Sequence, residues 1–370
     1  MLSPDRIGNS QQLLTPSEAE RAVYIDFEAL ATAPRVIGLL GVSLRDRGGE
    51  VVRQFVVDEI LRGAVKSRPT CEGMTIEDAV RVVVEQAAAL DGPIVSWSNY
   101  DRELILEHPD VSNGLKEHVK LLHRNAIATA TRWLNRFHPD VDLVKPLFGG
   151  RNQLKQFLPI VGYAVPGRLA AGNAARWLRH MREQLQKHDG RLRDVSPRAK
   201  RHWSMLLDYN RHDCLGLRAV TMRAARENAL WRAYERTIYR ARADCGDIEI
   251  RIGSPNRTFL RRVLEPSGAQ TWAFITASNP DSRPLPEREN AARHESLRAA
   301  VNSLGLTAFE GRGEPADGNW PAERSLLVLG ISRGRAISLG RKFGQVCIVL
   351  GRRGEKAELV LTKHQRTISD

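Results

Sequence analysis

Closely spaced cysteines and long apolar runs are both missing from this sequence. Its four cysteines, Cys71, Cys214, Cys245 and Cys347, lie far apart and form no CxxC pair. A zinc site or a disulfide framework is therefore not expected. No run of about 18 apolar residues is present, and the N-terminal segment has neither the basic nor the apolar region of a secretion signal. We expect a cytoplasmic protein with free thiols and no membrane association.

Two common catalytic signatures are missing as well. The glycine-containing runs GRGEP and GISRGR do not match a P-loop, and the histidines show no HExxH spacing. What the sequence does contain is typical of a globular protein, with 42% hydrophobic and 27% charged residues. A length of 370 residues predicts two domains.

The net charge of +13 is concentrated in the middle of the chain. Residues 151–244 contain 20 Lys and Arg against 8 Asp and Glu, whereas residues 1–150 contain 17 against 21. A basic block of this kind, which also carries Trp177, Trp203 and Trp231, is typical of a surface that follows a phosphate backbone. The alternative is a set of solvated helix faces. The arginines that we predict to bind nucleic acid are Arg176, Arg179, Arg182, Arg191 and Arg193.

The apolar patterns predict an α/β fold in the first part of the chain. RAVYIDFEAL, RVIGLLGVSLRD and EVVRQFVVDE indicate three strands in an antiparallel meander, with Gly48-Gly49 joining the last two. A helix in TIEDAVRVVVEQAAAL and a strand at PIVSW follow, and that strand is expected to lie parallel to an earlier one. This order predicts a ribonuclease-H-like mixed sheet with flanking helices. Farther along, VDLV is a candidate strand, and residues 204–238 form a long helix.

A new alternation of strands and helices begins near Asp244 and predicts a second, smaller α/β domain. We therefore divide the chain into a polar leader over residues 1–20, a ribonuclease-H-like domain with a basic helical insertion over residues 21–244, and a small α/β domain over residues 245–370.

Acidic residues occur at strand positions of the first domain. Asp26 and Glu28 are two apart in YIDFEAL, so both carboxylates face the same side of a strand. Their oxygens are donors that Mg²⁺ or Mn²⁺ prefers. Asp101 follows the strand IVSW, at the junction between that strand and the next predicted helix. Its alternative role is that of an acid favoured by a helix N-terminus.

Tyr209 and Asp213 are four residues apart in DYNRHDC, on one face of the predicted long helix. An acid in the middle of a helix, beside an apolar stripe, requires a partner, and a metal ion is a suitable one.

In this order, the motifs resemble the DEDD exonuclease superfamily in its tyrosine variant: DxE on the first strand, Asp after a later strand, and YxxxD on a late helix. VSWSNYDREL and LLDYNRHDCLGL are similar to the corresponding segments of bacterial predicted 3′–5′ exonucleases. The resemblance implies that Asp26, Glu28, Asp101 and Asp213 bind two Mg²⁺ or Mn²⁺ ions. It also implies that Tyr209 positions the attacking water, and that DNA or RNA is hydrolysed from its 3′ end. The segment between Asp101 and Tyr209 is longer than a minimal exonuclease core needs.

Residues 270–352 resemble the bacterial domain of unknown function 3293 in phrases such as NWPAERSLLVLGI and RKFGQVCIVLG. No activity follows from this resemblance. Asn279, Asn290, Glu323 and Gln345 stand at strand ends or beside helices, where capping and turn roles are the first interpretation and a pocket lining the second.

Three functions are compatible with these patterns. The first is a metal-dependent exonuclease whose C-terminal domain modifies substrate choice. The second is a nucleic-acid-binding regulatory protein with an inactive nuclease fold, and the third is hydrolysis of a small phosphoester. The complete set of acids favours the enzyme over the regulator, and the basic block argues against a small substrate.

Overall fold

The structure is a computed structural model that describes residues 12–32, 35–46, 48–65, 70–143, 153–170, 173–316, 318 and 320–362. These residues form two compact units, one up to Asn228 and the other from Ala229 onward. Each unit contains its own sheet and flanking helices, so the mixed α/β architecture expected from the sequence is confirmed. Most of the predicted polar leader, residues 1–11, lies outside the described residues.

A mixed sheet is the centre of the first unit. Its strands are β1 (Val23–Leu30), β2 (Val36–Asp46), β3 (Gly49–Val56), β4 (Cys71–Gly73), β5 (Ile94–Ser96) and β6 (His123–Asn125). They are arranged in the order β4-β3-β2-β1-β5-β6. β1, β2 and β3 form the predicted antiparallel meander, and β5 lies parallel to β1 as expected for a strand that follows a crossover helix.

The next strand of this sheet is not the predicted one. β6 lies parallel to β5, whereas Val141, Asp142 and Leu143 of the candidate strand VDLV are not in a strand. Val144, the last residue of that segment, lies outside the described residues. β6 is a three-residue segment, HRN, without an apolar run, so apolar patterning does not detect it.

Helices cover both faces of this sheet. In chain order they are α1 (Pro16–Arg21), α2 (Ile76–Ala89), α3 (Tyr100–Glu107), α4 (Asn113–Leu122), α5 (Ile127–Phe137), α6 (Leu154–Phe157), α7 (Gly167–Ala170), α8 (Ala174–Lys187) and α9 (Pro197–Arg236). Apolar residues of α2, α3 and α4 pack on one face of the sheet, and those of α8 and α9 pack on the other. The sheet is therefore buried on both sides.

α9 is the long helix that the apolar spacing predicts. It begins at Pro197, seven residues earlier in the chain than residue 204, and it ends at Arg236. No helix among the described residues combines the length and the apolar character that crossing a bilayer requires.

The second unit contains an antiparallel sheet. Its strands are β7 (Ile238–Ala243), β8 (Gly246–Ile250), β9 (Thr271–Thr276), β10 (Ala308–Glu314), β11 (Glu323–Leu329), β12 (Cys347–Arg352) and β13 (Glu358–Leu361), in the order β13-β12-β9-β11-β10-β7-β8. Its helices are α10 (Arg257–Phe259), α11 (Glu265–Ser267), α12 (Glu287–Asn302) and α13 (Arg333–Lys342). Apolar residues of α12 and α13 pack against the sheet.

The unit boundary lies earlier in the chain than the predicted one near Asp244. β7 pairs with β8 and β10, so it belongs to the second sheet, and the division at Asn228 falls within α9. The sequence predicted a continuous helix to residue 238 and did not separate IYRARA as a strand. Its alternating arginines resemble a solvated helix face, and only pairing in the sheet distinguishes the two.

Candidate metal centre

Three carboxylates converge at the centre of the first unit. One carboxylate oxygen from each of Asp26, Glu28 and Asp213 lies within 4.8 Å of the others. Asp26 and Glu28 share a face because side chains alternate along β1, while Ile25 and Phe27 point into the opposite core. Asp213 reaches the cluster from α9. Two distant segments of the chain therefore build one acidic cluster.

Asp101 joins this site through the backbone of β1. It lies in the first turn of α3 and is 6% exposed. Its Oδ1 accepts a hydrogen bond from the backbone N–H of Phe27, the residue between Asp26 and Glu28, at 3.1 Å. The buried carboxylate thus fixes the strand segment that carries the other two acids.

Tyr209 stands beside Asp213 on α9, as the four-residue spacing predicts. Its hydroxyl donates a hydrogen bond to the Asp213 carboxylate. The Tyr209 ring packs edge-on against Trp177 of α8, with 6.0 Å between ring centroids. The ammonium group of Lys155 lies 4.5 Å from the centroid of the Tyr209 ring. A cation and a phenol therefore stand beside the acidic cluster.

Asn210 is a residue of this candidate site that sequence reasoning missed. It is fully buried, and its amide nitrogen donates to the Asp26 carboxylate at 3.0 Å and to the Asp26 carbonyl at 3.1 Å. Its carbonyl accepts from the side-chain amide of Gln54 on β3 at 3.0 Å. These bonds orient Asp26. The sequence feature that could have identified Asn210 is its position in the middle of a helix, between Tyr209 and Asp213. A buried amide at such a position requires hydrogen-bond partners.

Gly41 on β2 lets α9 approach the sheet this closely. A Cβ at this position would lie 2.2 Å from Oδ1 of Asn210 and 2.6 Å from Sγ of Cys214. No side chain fits at such distances. The absence of a Cβ therefore allows the Asn210–Asp26 contact.

The environment of this site disfavours the charged form of its acids. Burial raises the pKa values of Asp26 and Glu28, and the charge of Asp213 raises both further. Burial also raises the pKa of Asp101 to about 7 and that of Asp213 to about 6. Lys155 opposes this effect by lowering the pKa of Glu28 and of Asp213. A buried group of like charges requires a compensating cation.

The donor set fits a hard divalent cation. Carboxylate oxygens are the ligands that Mg²⁺ and Mn²⁺ prefer, and Asp26, Glu28 and Asp213 supply three of them from rigid elements. Burial raises the pKa of the Tyr209 phenol, so this group remains a hydrogen-bond donor at neutral pH rather than a base. The residues present therefore fit the Mg²⁺ or Mn²⁺ ions that the sequence predicts.

Metal-free protein should become less stable as pH rises through the range in which these acids ionise. The pKa of Asp101 is about 7 in the folded protein, against an ordinary value of 3.8. Between these values the folded protein keeps a proton that the unfolded chain releases, so raising the pH lowers the free energy of unfolding. Thermal unfolding in chelator at pH 5 and pH 8 measures this loss, and Asp101→Asn should reduce it. An equal loss in the variant would contradict the assignment.

The five predicted nucleic-acid-binding arginines do not form one surface of free cations. Arg182 pairs with Asp58 at 3.1 Å, Arg191 pairs with Asp189 and Asp194, and Arg193 pairs with Asp194 at 3.7 Å. Arg176 and Arg179 are exposed on α8, and neither pairs with a carboxylate of the described residues. The predicted nucleic-acid-binding set is therefore reduced to Arg176 and Arg179. The charges of the other three arginines are already partly neutralised by their ion pairs.

Two of the three tryptophans of the basic block are buried and do not offer a stacking surface. Trp177 and Trp203 are buried in the core between the sheet, α8 and α9. The indole of Trp231 donates to Glu235 within α9. The expectation that all three lie along a phosphate track is therefore wrong for the two buried residues, whose helical spacing places them in the core.

These observations define a two-unit α/β protein with a partly buried carboxylate cluster in its first unit. A family model described as "Protein of unknown function (DUF3293)" matches residues 275–348, from β9 to β12 in the second unit. This match confirms the C-terminal resemblance predicted from the sequence. Comparison with curated proteins finds no match, and comparison with solved structures finds none either. The exonuclease resemblance of the first unit stays a prediction.

Proposed function

We propose that this protein is a metal-dependent nuclease, a 3′–5′ exonuclease that hydrolyses phosphodiester bonds of DNA or RNA by a two-metal mechanism. The observation that carries the proposal is the convergence of Asp26, Glu28 and Asp213, whose oxygens lie within 4.8 Å of one another. The 3′–5′ direction of hydrolysis and its nucleoside 5′-monophosphate product are inferred from the motif resemblance alone. A cytoplasmic location is part of the same proposal.

The arrangement of strands supports the proposal. The meander of β1, β2 and β3, followed by parallel β5 and β6, is the ribonuclease-H-like order that the sequence predicts. The acids occupy β1, the first turn of α3 and one face of α9. These are the elements on which the motif order places them, so the fold and the motifs point to the same site.

The divalent ions, when bound, would activate water and stabilise the leaving oxygen of an in-line displacement. The side chains have separate tasks. Asp26, Glu28, Asp101 and Asp213 would hold and surround the ions, and the Asn210 amide keeps Asp26 oriented. Tyr209 donates to Asp213, and its hydroxyl would also orient the attacking water molecule, as the motif resemblance implies.

Lys155 supplies positive charge beside the acids. The Lys155 side chain is exposed, and its ammonium group lies over the Tyr209 ring. Cations at this place can bind the phosphates next to the scissile bond. The complete acid set favours the enzyme over a regulatory protein with an inactive nuclease fold.

Charge reversal on α8 tests the path of the substrate. If Arg176 and Arg179 each contact a phosphate, the double variant Arg176→Glu/Arg179→Glu should reduce the slope of log affinity against log salt by roughly 1.4, about 0.7 per contact on a single strand. Binding of a labelled strand in EDTA over a salt series measures the slope. Arg191→Glu is the matched control, because Arg191 already pairs with acids. An unchanged slope in the double variant would place the substrate elsewhere.

The direct test of the activity uses purified full-length protein with Mg²⁺ or Mn²⁺ on end-labelled DNA and RNA, both single-stranded and duplex. We expect strands labelled at the 5′ end to shorten stepwise, with release of nucleoside 5′-monophosphates and no reaction in EDTA. Cleavage at internal positions would support the proposed nuclease activity but contradict the proposed exonuclease activity. Intact substrates with both metals would reject the proposed function.

A further inference from the structure

The second unit contains a cavity that has no part in the proposed nuclease site. Its volume is about 540 Å³, within the range of small-molecule sites in proteins. Aromatic side chains contribute to its wall, among them Tyr239, Phe274 and Trp320. Tyr239 and Phe274 pack edge-on, with 5.2 Å between ring centroids. Such walls favour a flat ligand that can stack on them.

A hydrogen-bonded carboxylate lies in the same cavity. Asn279 and Glu323 both contribute to the lining, and the Asn279 amide donates to Oε1 of Glu323 at 2.7 Å. Asn290 in turn donates to the Asn279 carbonyl at 3.0 Å, and the Asn279 carbonyl also accepts from the Leu285 backbone at 2.9 Å. These bonds fix Asn279, which fixes Glu323. The cavity is thus built around a carboxylate of defined orientation.

Glu323 lacks a cationic partner within the part of the chain that the structure describes. No described Lys or Arg forms an ion pair with it, and the Asn279 amide is the one side chain that lowers its pKa. Burial raises that pKa above the ordinary value of 4.5. An ionised carboxylate can accept about four hydrogen bonds and donates none. The remaining acceptor positions of Glu323 therefore suit a ligand with N–H donors.

We propose that this cavity binds a guanine base, with its ring against the aromatic side chains of the lining and its N1–H and N2–H₂ donors on the Glu323 carboxylate. Guanine is the nucleic-acid base whose Watson–Crick edge carries two adjacent donors. Adenine and cytosine place an acceptor beside their amino group, and uracil has one N–H between two carbonyls. A carboxylate distinguishes these patterns because it only accepts, and enzymes read unstacked bases in this way.

Two sources can supply this base, a free guanine nucleotide or a guanosine at the end of a strand. The cavity is independent of the acidic cluster, since all of its lining residues belong to the second unit. Guanine binding can therefore be measured in EDTA. The guanine proposal remains testable even if the nuclease proposal fails.

Calorimetric titration of the full chain in EDTA tests the proposal. Guanosine 5′-monophosphate should bind saturably, and inosine 5′-monophosphate, which lacks the N2 amino group, should bind about tenfold more weakly because one hydrogen bond to a charged group is lost. The adenosine, cytidine and uridine monophosphates should bind more weakly still. A short oligonucleotide that ends in guanosine, titrated alongside, identifies the source.

Glu323→Gln should weaken guanosine monophosphate binding by at least about tenfold, because the amide sets a donor against the donors of the base. Glu265→Gln is the matched control: it removes the same charge from an exposed helix of the same unit, outside the cavity. Thermal unfolding shows whether both variants fold, and the inosine comparison needs no variant. If guanosine 5′-monophosphate did not bind saturably, or if all the nucleotides bound equally well, the proposal would be overturned.

Discussion

Asp213→Asn is expected to reduce nuclease turnover by at least about a thousandfold. Asp213 contributes one of the three convergent oxygens and one negative charge to the cluster. An amide in its place cannot hold a divalent ion as tightly. Metal ions stabilise the transition state by several kcal/mol, and a loss of about 4 kcal/mol corresponds to a thousandfold lower rate. The rate of release of labelled mononucleotide in Mn²⁺ measures this effect.

Asp208→Asn is the matched control for this variant. Asp208 lies on the same helix and pairs with Arg168 at 3.0 Å on the surface, outside the cluster. It should keep full turnover. In chelator, Asp213→Asn should unfold at no lower temperature than the wild type, because the substitution removes a repulsive charge from a buried acidic group. Full turnover in Asp213→Asn, or an equal loss in both variants, would remove Asp213 from the site.

Gly41→Ala is expected to destabilise the first unit by about 1–3 kcal/mol, the usual cost of overpacking, and to weaken metal binding. The added Cβ would lie 2.2 Å from Oδ1 of Asn210. Asn210 must then move, and Asp26 loses the amide that orients it. Loss of such a supporting contact typically lowers metal affinity by about 10- to 100-fold. Chemical denaturation and Mn²⁺ titration of the same preparation measure the two effects.

Gly114→Ala is the control for this substitution. Gly114 lies in α4, and a Cβ there meets nothing within 4 Å. Because alanine is the better helix former and Gly114 lies in the first turn of α4, this variant should be at least as stable as the wild type and keep its metal affinity. If Gly41→Ala matched Gly114→Ala in both measurements, the close approach of α9 to β2 would have no bearing on the site.

Periodicity predicted the part of the site that lies within single elements. The two-residue alternation places Asp26 and Glu28 on one face of β1, and the four-residue spacing places Tyr209 and Asp213 on one face of α9. Regular backbones determine these directions locally. The meander was predictable because its strands are short apolar runs and Gly48-Gly49 marks the turn between the last two.

Contacts between distant elements were not predictable from the same patterns. Asn210 acquires its role only because Gly41 lets α9 approach β2, and Lys155 only because the short helix α6 lies beside Tyr209. The arginines show the same limit, because charge counting does not show that Arg182 faces Asp58. Composition predicts that positive charge is present, and tertiary packing decides which charges are free.

The polar residues of the second unit illustrate a different limit. The sequence favoured capping and turn roles for Asn279 over a pocket lining. The structure assigns it both, because its carbonyl accepts from the Leu285 backbone while its amide holds Glu323 at the cavity. A turn residue that also orients a buried carboxylate has no distinct sequence pattern.

The central claim is that Asp26, Glu28, Asp101 and Asp213 form a divalent-metal site, and calorimetric titration of the metal-free protein with Mn²⁺ at pH 8 tests it most directly. We expect saturable binding of two ions in the wild type and in Asp208→Asn, with release of protons that increases as the pH is lowered toward 6. Asp26→Asn should lose most of this binding. Indistinguishable titrations of the wild type and Asp26→Asn would contradict the claim.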